Sequence, residues 1–143
     1  MSQPSSLGKP PTLGDFQAIA GKVQLRLSDP SAKDLPTDSL LLQPGNPHLY
    51  ELYFQFGRYL LLSSSRRGTL PANLQGIWSN RIQTPWNGDY HININLQMNY
   101  WPANVANLPE CYSPFTELVA SLVKPGEKTA AVQYGLRGWC AEV

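Results

Sequence analysis

Charge is scarce in this chain. Only 15% of its 143 residues are Asp, Glu, Lys or Arg, and the formal net charge is +1. Without a basic excess there is no electrostatic footprint for nucleic acid or for an anionic membrane surface. There is no apolar run of about 18 residues or more, so no membrane-spanning helix is expected. The first twenty residues lack a basic start followed by an apolar core, and no secretory leader is expected in them. Histidine and cysteine are nearly absent. His48, His91, Cys111 and Cys140 are too few and too dispersed for a structural zinc site, and spacing leaves open whether the two cysteines pair or remain thiols. There is no G-x-S-x-G elbow and no phosphate-cradling glycine loop, which argues against serine-hydrolase and nucleotide chemistry. No cofactor is implied.

What the chain does contain is apolar and aromatic. Its length suits one small domain or a piece of a larger one, and 42% of its residues are hydrophobic. Residues 1–45 read as a lead-in and interdomain-type linker. Their first 14 residues are rich in Pro, Ser and Gly, and "DFQAIAGKVQLRL" suggests a short helix followed by a strand, in which Val23, Leu25 and Leu27 alternate with Lys22, Gln24 and Arg26. Residues 46–143 read as mainly helical. Asn46 and Pro47 form an N-cap and first helical position, and the helix that follows is apolar nearly all round. Such a helix should be buried on most sides. Residues 63–92 carry little helical signal and much Gly and Pro; an irregular segment of that length is usually functional. Beyond it, a helix should stop or kink near Pro102. Another should be capped by Ser113 and broken at Pro125–Gly126, with a last one ending at Gly135.

The most distinctive stretch is "GDYHININLQMNYWP", residues 88–102. Read as extended backbone, it sends His91, Asn93 and Asn95 to one face and Ile92, Ile94 and Leu96 to the other. Carboxamides and a neutral imidazole both donate and accept hydrogen bonds, which suits the hydroxyls of a neutral sugar better than a phosphate. The competing reading is that these amides satisfy main-chain groups around irregular turns. On the residues alone, both stand. Trp78, Trp86 and Trp101 could stack on a sugar or fill core space, and core is expected for at least two. Carboxylates are thin here: Asp89 adjoins the stretch and Glu110 and Glu117 follow, with no spacing that pairs them.

Three segments, "LYFQFGRYLLLSSSRRGTLPANLQGIW", "TPWNGDYHININLQMNYWPANVANLPEC" and "YGLRGW", strongly resemble the catalytic region of glycoside hydrolase family 95. This is a family of six-hairpin glycosidases: α-L-fucosidases chiefly acting on 1,2-linked fucose, with some α-L-galactosidases. The resemblance covers residues 48–139, and "DFQAIAGKVQLRL … LPTD" looks like the family's interdomain linker. It implies a mainly α fold, the first helices and long active-site loop of an incomplete (α/α)6 barrel. It also implies an inverting mechanism on a fucosylated glycan, with a Glu as general acid and, opposite it, asparagines that hold the attacking water with help from an Asp. The family's N-x-N motif stands here as Asn93-Ile94-Asn95. The resemblance thus assigns Asn95 as the main water-positioning residue, Asn93 as its partner at water and sugar, and His91 as a sugar contact beside the C5 methyl. An extracellular or periplasmic setting is implied by the family.

The general-acid Glu and the helper Asp fall beyond "YGLRGWCA" in relatives, and Glu110, Glu117 and Glu127 do not match their positions. The chain is therefore expected to be a truncated portion, inactive and marginally folded on its own. The alternatives are a non-catalytic carbohydrate-binding or scaffold fragment, and an α-L-galactosidase of the same family.

Overall fold

The computed structural model describes residues 12–27 and 35–141. Among these the chain is helical, with no strand beyond one isolated bridge between Asn73 and Gly76. Helices α1 (Leu13–Ala20), α2 (Thr37–Leu41) and α3 (Pro47–Ser64) precede the long loop. After it come α4 (Asn95–Tyr100), α5 (Pro102–Val105) and α6 (Ser113–Thr129). Local rules account for the starts of α1 and α3. Thr12 and Asp15 form a reciprocal capping box on α1. On α3 the Asn46 side chain accepts the His48 N–H at 3.0 Å, and Pro47 occupies the first turn, where a missing N–H costs nothing.

The core lies where α3, α4, α5 and the turn before α6 meet. Leu61, Leu62, Leu96, Tyr100, Ala103, Leu108 and Cys111 are buried together. Tyr100, Tyr112 and Phe115 form an aromatic cluster with ring centroids 5.1–6.0 Å apart. Both cysteines are free thiols, Cys111 buried and Cys140 half-buried. Lys22 forms an ion pair with Glu110, tying the end of α1 to the turn at Pro109–Tyr112.

Four sequence expectations are corrected. The strand over Val23–Leu27 is absent: main-chain groups of this segment pair with side chains of α3, not with another strand. Arg58 Nη1 and Gln55 Nε2 each donate to the Val23 carbonyl at 3.2 Å, and Glu51 accepts the Leu27 N–H. In consequence α3 is not buried all round. Its polar residues Glu51 and Arg58 face inward, at 5% and 4% exposure, while Tyr50, Tyr53, Phe56 and Tyr59 lie 46–78% exposed. Ser113 does not cap α6. It is the first helical residue, and its hydroxyl donates to Glu117 at 2.6 Å. Pro125–Gly126 does not break α6, which runs on to Thr129 and through a wider π-helical turn, Ala130–Tyr134, to left-handed Gly135. The helix survives because the 139–141 segment packs across it. The Cys140 N–H donates to the Gly126 carbonyl at 3.2 Å, and a Cβ on Gly126 would sit 2.6 Å from the Cys140 oxygen. Tertiary contact outweighs proline's propensity cost, about 3 kcal/mol in an exposed helix.

The kink near Pro102 and the stop at Gly135 are as the sequence indicates: α4 gives way to α5 at Pro102, and Gly135 has φ 63°. The segment read as linker holds α1 and α2, and α1 rests on α3 through Phe16 and Tyr59, an edge-on pair at 6.1 Å. The first eleven residues of the lead-in, and 28–34 of the linker, lie outside the described residues.

Candidate active-site loop

The loop between α3 and α4 is irregular but firmly pinned. At its start, Tyr100 Oη accepts the Ala72 N–H at 2.8 Å and shares a 2.5 Å hydrogen bond with Ser65 Oγ. Burial raises the Tyr100 phenol above its ordinary range. Asn99 Nδ2 donates to the Ala72 and Asn73 carbonyls at 3.3 and 3.0 Å. At the loop's other end the Leu74 N–H donates to the Asp89 carbonyl at 3.2 Å, which draws the two arms together. Helix α4 therefore anchors the loop that precedes it.

Backbone strain is concentrated at the loop's end. The four described non-glycine residues with positive φ are Trp86 (55°), Asn87 (56°), His91 (44°) and Asn107 (53°), three of them within six positions. A left-handed conformation is unusual for tryptophan and typically costs about 1–3 kcal/mol, persisting only where the surroundings enforce it. Here the Asn87 N–H donates to Thr84 and the Asp89 N–H to Trp86, closing a tight turn over Pro85–Gly88. Clustered strain of this kind is characteristic of binding and catalytic segments.

The extended reading of 91–96 is not what forms. Tyr90 and Ile92 pack on the core, so alternation holds that far and leaves His91 edge-on to Trp86, ring centroids 5.8 Å apart. Residues 92–94 then turn and α4 begins at Asn95. The apolar trio splits: Leu96 is 1% exposed but Ile94 is 42% exposed. The polar trio is arranged by a turn and a helix start rather than by the pleat of a strand: Asn93 is exposed, His91 and Asn95 half-buried. The Leu96 N–H reaches back five residues to the His91 carbonyl at 3.2 Å, a wider loop than a helical turn, and this local bond displaces the strand. A hollow of about 790 Å³ beside the loop is lined by Gln75, Trp78, Asn80, Arg81 and Pro85, without any of the three.

The amides divide by use. Gln97 Nε2 donates to the Ile92 carbonyl at 2.5 Å, and Asn99 holds the loop as described. Those two fit the scaffold reading. Asn93 and Asn95 do not: among the described residues neither side chain has a protein hydrogen-bond partner, and the same is true of the His91 ring nitrogens. The three tryptophans are not core. Trp78, Trp86 and Trp101 are 43%, 75% and 61% exposed, because they sit on the loop and on the outer side of the α4–α5 bend. Arg58, missed by an apolar-stripe reading, proves to be a central organiser; an Arg set one helical turn and more from Glu51 and Gln55 was the available signal. Among the described residues no three His, Cys, Asp or Glu side chains group to hold a metal ion.

A mostly helical domain segment, with a strained aromatic loop delivering unspent carboxamides at a helix start, is the class that these features define. The chain belongs to the glycosyl hydrolase family 95 catalytic domain family, whose profile matches residues 9–143. It is 46% identical over 137 residues to Alpha-L-fucosidase 2 of Arabidopsis thaliana, covering 90% of this chain and 16% of that protein. It is 45% identical over 131 residues to Probable alpha-fucosidase A of Aspergillus niger, covering 87% of this chain and 16% of that one. The chain thus spans about a sixth of the length of these curated relatives.

Proposed function

We propose that this chain forms the water-holding side of the catalytic site of an inverting α-L-fucosidase acting on 1,2-linked fucose. The observation that supports this best is the division among the amides: Gln97 and Asn99 are committed to main chain, whereas Asn93 and Asn95 keep their carboxamides available. A carboxamide is too weak a base to remove a proton from water at neutral pH. Its oxygen accepts a hydrogen bond from the water and directs a lone pair toward the anomeric carbon. The effect is one of orientation, which alone can contribute several kcal/mol. Asn95 is the main water-positioning residue and Asn93 its partner at water and sugar. His91, set against the Trp86 edge, offers an imidazole flank to the C5 methyl that separates fucose from galactose. Inversion needs an acid on the opposite face of the sugar, with room for water between. We assign that acid and the helper carboxylate to the remainder of the family domain, so the 143-residue chain by itself is without hydrolytic activity.

The test is Asn95→Ala in a family-length protein carrying this segment, assayed on an aryl α-L-fucoside and an aryl α-L-galactoside. The expected result is a fall in kcat of roughly 100-fold or more with KM little changed, because an interaction realised in the transition state is lost. A kcat near that of the parent protein removes the role given to Asn95. Faster cleavage of the galactoside would convert the reading to an α-L-galactosidase.

A further inference from the structure

We infer that Gln97 is a positioning residue for the Asn93–Asn95 turn, and that its side-chain oxygen takes a hydrogen bond from a water or sugar hydroxyl in the working site. The inference rests on the function proposed above and extends it to a residue outside the N-x-N motif. Two observations carry it. The first concerns the turn. In a regular helix the Leu96 N–H would satisfy the Ile92 carbonyl, but here it bonds one residue further back, to His91. The Ile92 carbonyl is left without a helical partner immediately before Asn93, and Gln97 Nε2 supplies the missing donor at 2.5 Å. The Met98 N–H fixes the Ile94 carbonyl at 2.9 Å on the other side of Asn93. One side chain and one main-chain bond therefore bracket the residue that must hold its carboxamide still.

The second observation is the other end of the same amide. With the nitrogen committed to a carbonyl, the orientation of the carboxamide is settled, since the reverse would oppose two oxygens. Gln97 Oε1 is then buried and has no hydrogen-bond partner among the described residues. A buried acceptor without a donor is costly and uncommon. The O–H of a water or of the bound sugar satisfies it once the turn opens enough to admit that group, because the oxygen is closed to solvent in this structure.

Two substitutions separate the two ends of the amide, again in a family-length protein. Gln97→Met keeps length and shape but removes both donor and acceptor; Gln97→Glu keeps an acceptor oxygen and, when ionised, loses the donor. Thermal unfolding gives the folded fraction, and kcat and KM are measured per folded molecule. Gln97→Met is expected to lower activity at least tenfold. A fall in kcat alone assigns the O–H to water, and a rise in KM alone assigns it to a sugar hydroxyl. Gln97→Glu is expected to lower kcat through the loosened turn. Folded variants with both constants within twofold of the parent overturn the inference, as does global unfolding of both, which would make Gln97 scaffold. Asn95→Ala run alongside keeps the outcomes distinct: loss there with none at Gln97 defeats this inference alone, and no loss at Asn95 defeats the reading beneath it.

Discussion

Arg58 spreads its guanidinium over main-chain carbonyls of two separate segments. Nε donates to Ala106 at 3.0 Å, Nη1 to Ala20 at 2.7 Å, and Nη2 to Ile19 at 3.3 Å. Two of these belong to the end of α1, which has no basic residue of its own in its last turn, and the third lies just past α5. One buried cation therefore serves two helix C-termini, where carbonyls lack partners and the helix dipole is negative. Arg58→Met should lower the unfolding free energy by roughly 2–3 kcal/mol, since it strands buried acceptors; urea denaturation of a family-length protein carrying this segment measures it. Cys111 gives a second prediction at this scale. Burial pushes its thiol from the ordinary 9.0 up to about 11, and burial also raises the Tyr100 phenol. Between those pH values the unfolded thiol has lost its proton while the folded one keeps it. The unfolded state thus binds fewer protons, and stability falls as pH climbs from about 9 toward about 11. A Tm series across that range should show the fall, and Cys111→Ala should make it shallower.

Among the elements, α6 shows how a packed neighbour overrides a local breaker. Gly126 is buried because Trp139 and Cys140 cross the helix there, and the obstructing Cys140 oxygen is main chain, unable to rotate aside. Gly126→Ala should lift the 139–141 segment off α6 even though alanine is the better helix former by about 1 kcal/mol. The expected signature is faster alkylation of Cys140 at neutral pH, while Cys111 stays protected. An unchanged Cys140 rate would mean the segment is held by something other than this close approach. The α4–α5 bend is the counterpart. There the proline falls between two short helices and interrupts nothing, so sequence and structure agree.

For the molecule as a whole, α3 is the defining oddity, with a polar stripe inward and an aromatic stripe outward. Glu51, Gln55 and Arg58 are used up in holding residues 19–27, which leaves Tyr50, Tyr53, Phe56 and Tyr59 facing away from the core of this segment. Stability should follow that division. Leu62→Ala, at a site 2% exposed, should cost about 2–5 kcal/mol, whereas Tyr53→Ser, at 78% exposed, should change the unfolding free energy by no more than about 0.5 kcal/mol. Comparable losses at both sites would mean that the aromatic face is covered in solution.

By itself the sequence determined what depends on neighbours along the chain: the cap at Asn46, the stop at Gly135, the bend at Pro102 and the motif that marks the family. These are settled by sterics and hydrogen bonds within a few residues. Tertiary structure alone decided which way α3 faces, whether Pro125 ends a helix, and which of four clustered amides remain available. In each case the deciding partner is distant in sequence, as the Ala72 and Asn73 carbonyls are for Asn99, or hidden by an unexpected backbone, as the Ile92 carbonyl is for Gln97. A carboxamide looks the same in sequence whether it is spent on a carbonyl or free for a water; only the position of that carbonyl tells them apart.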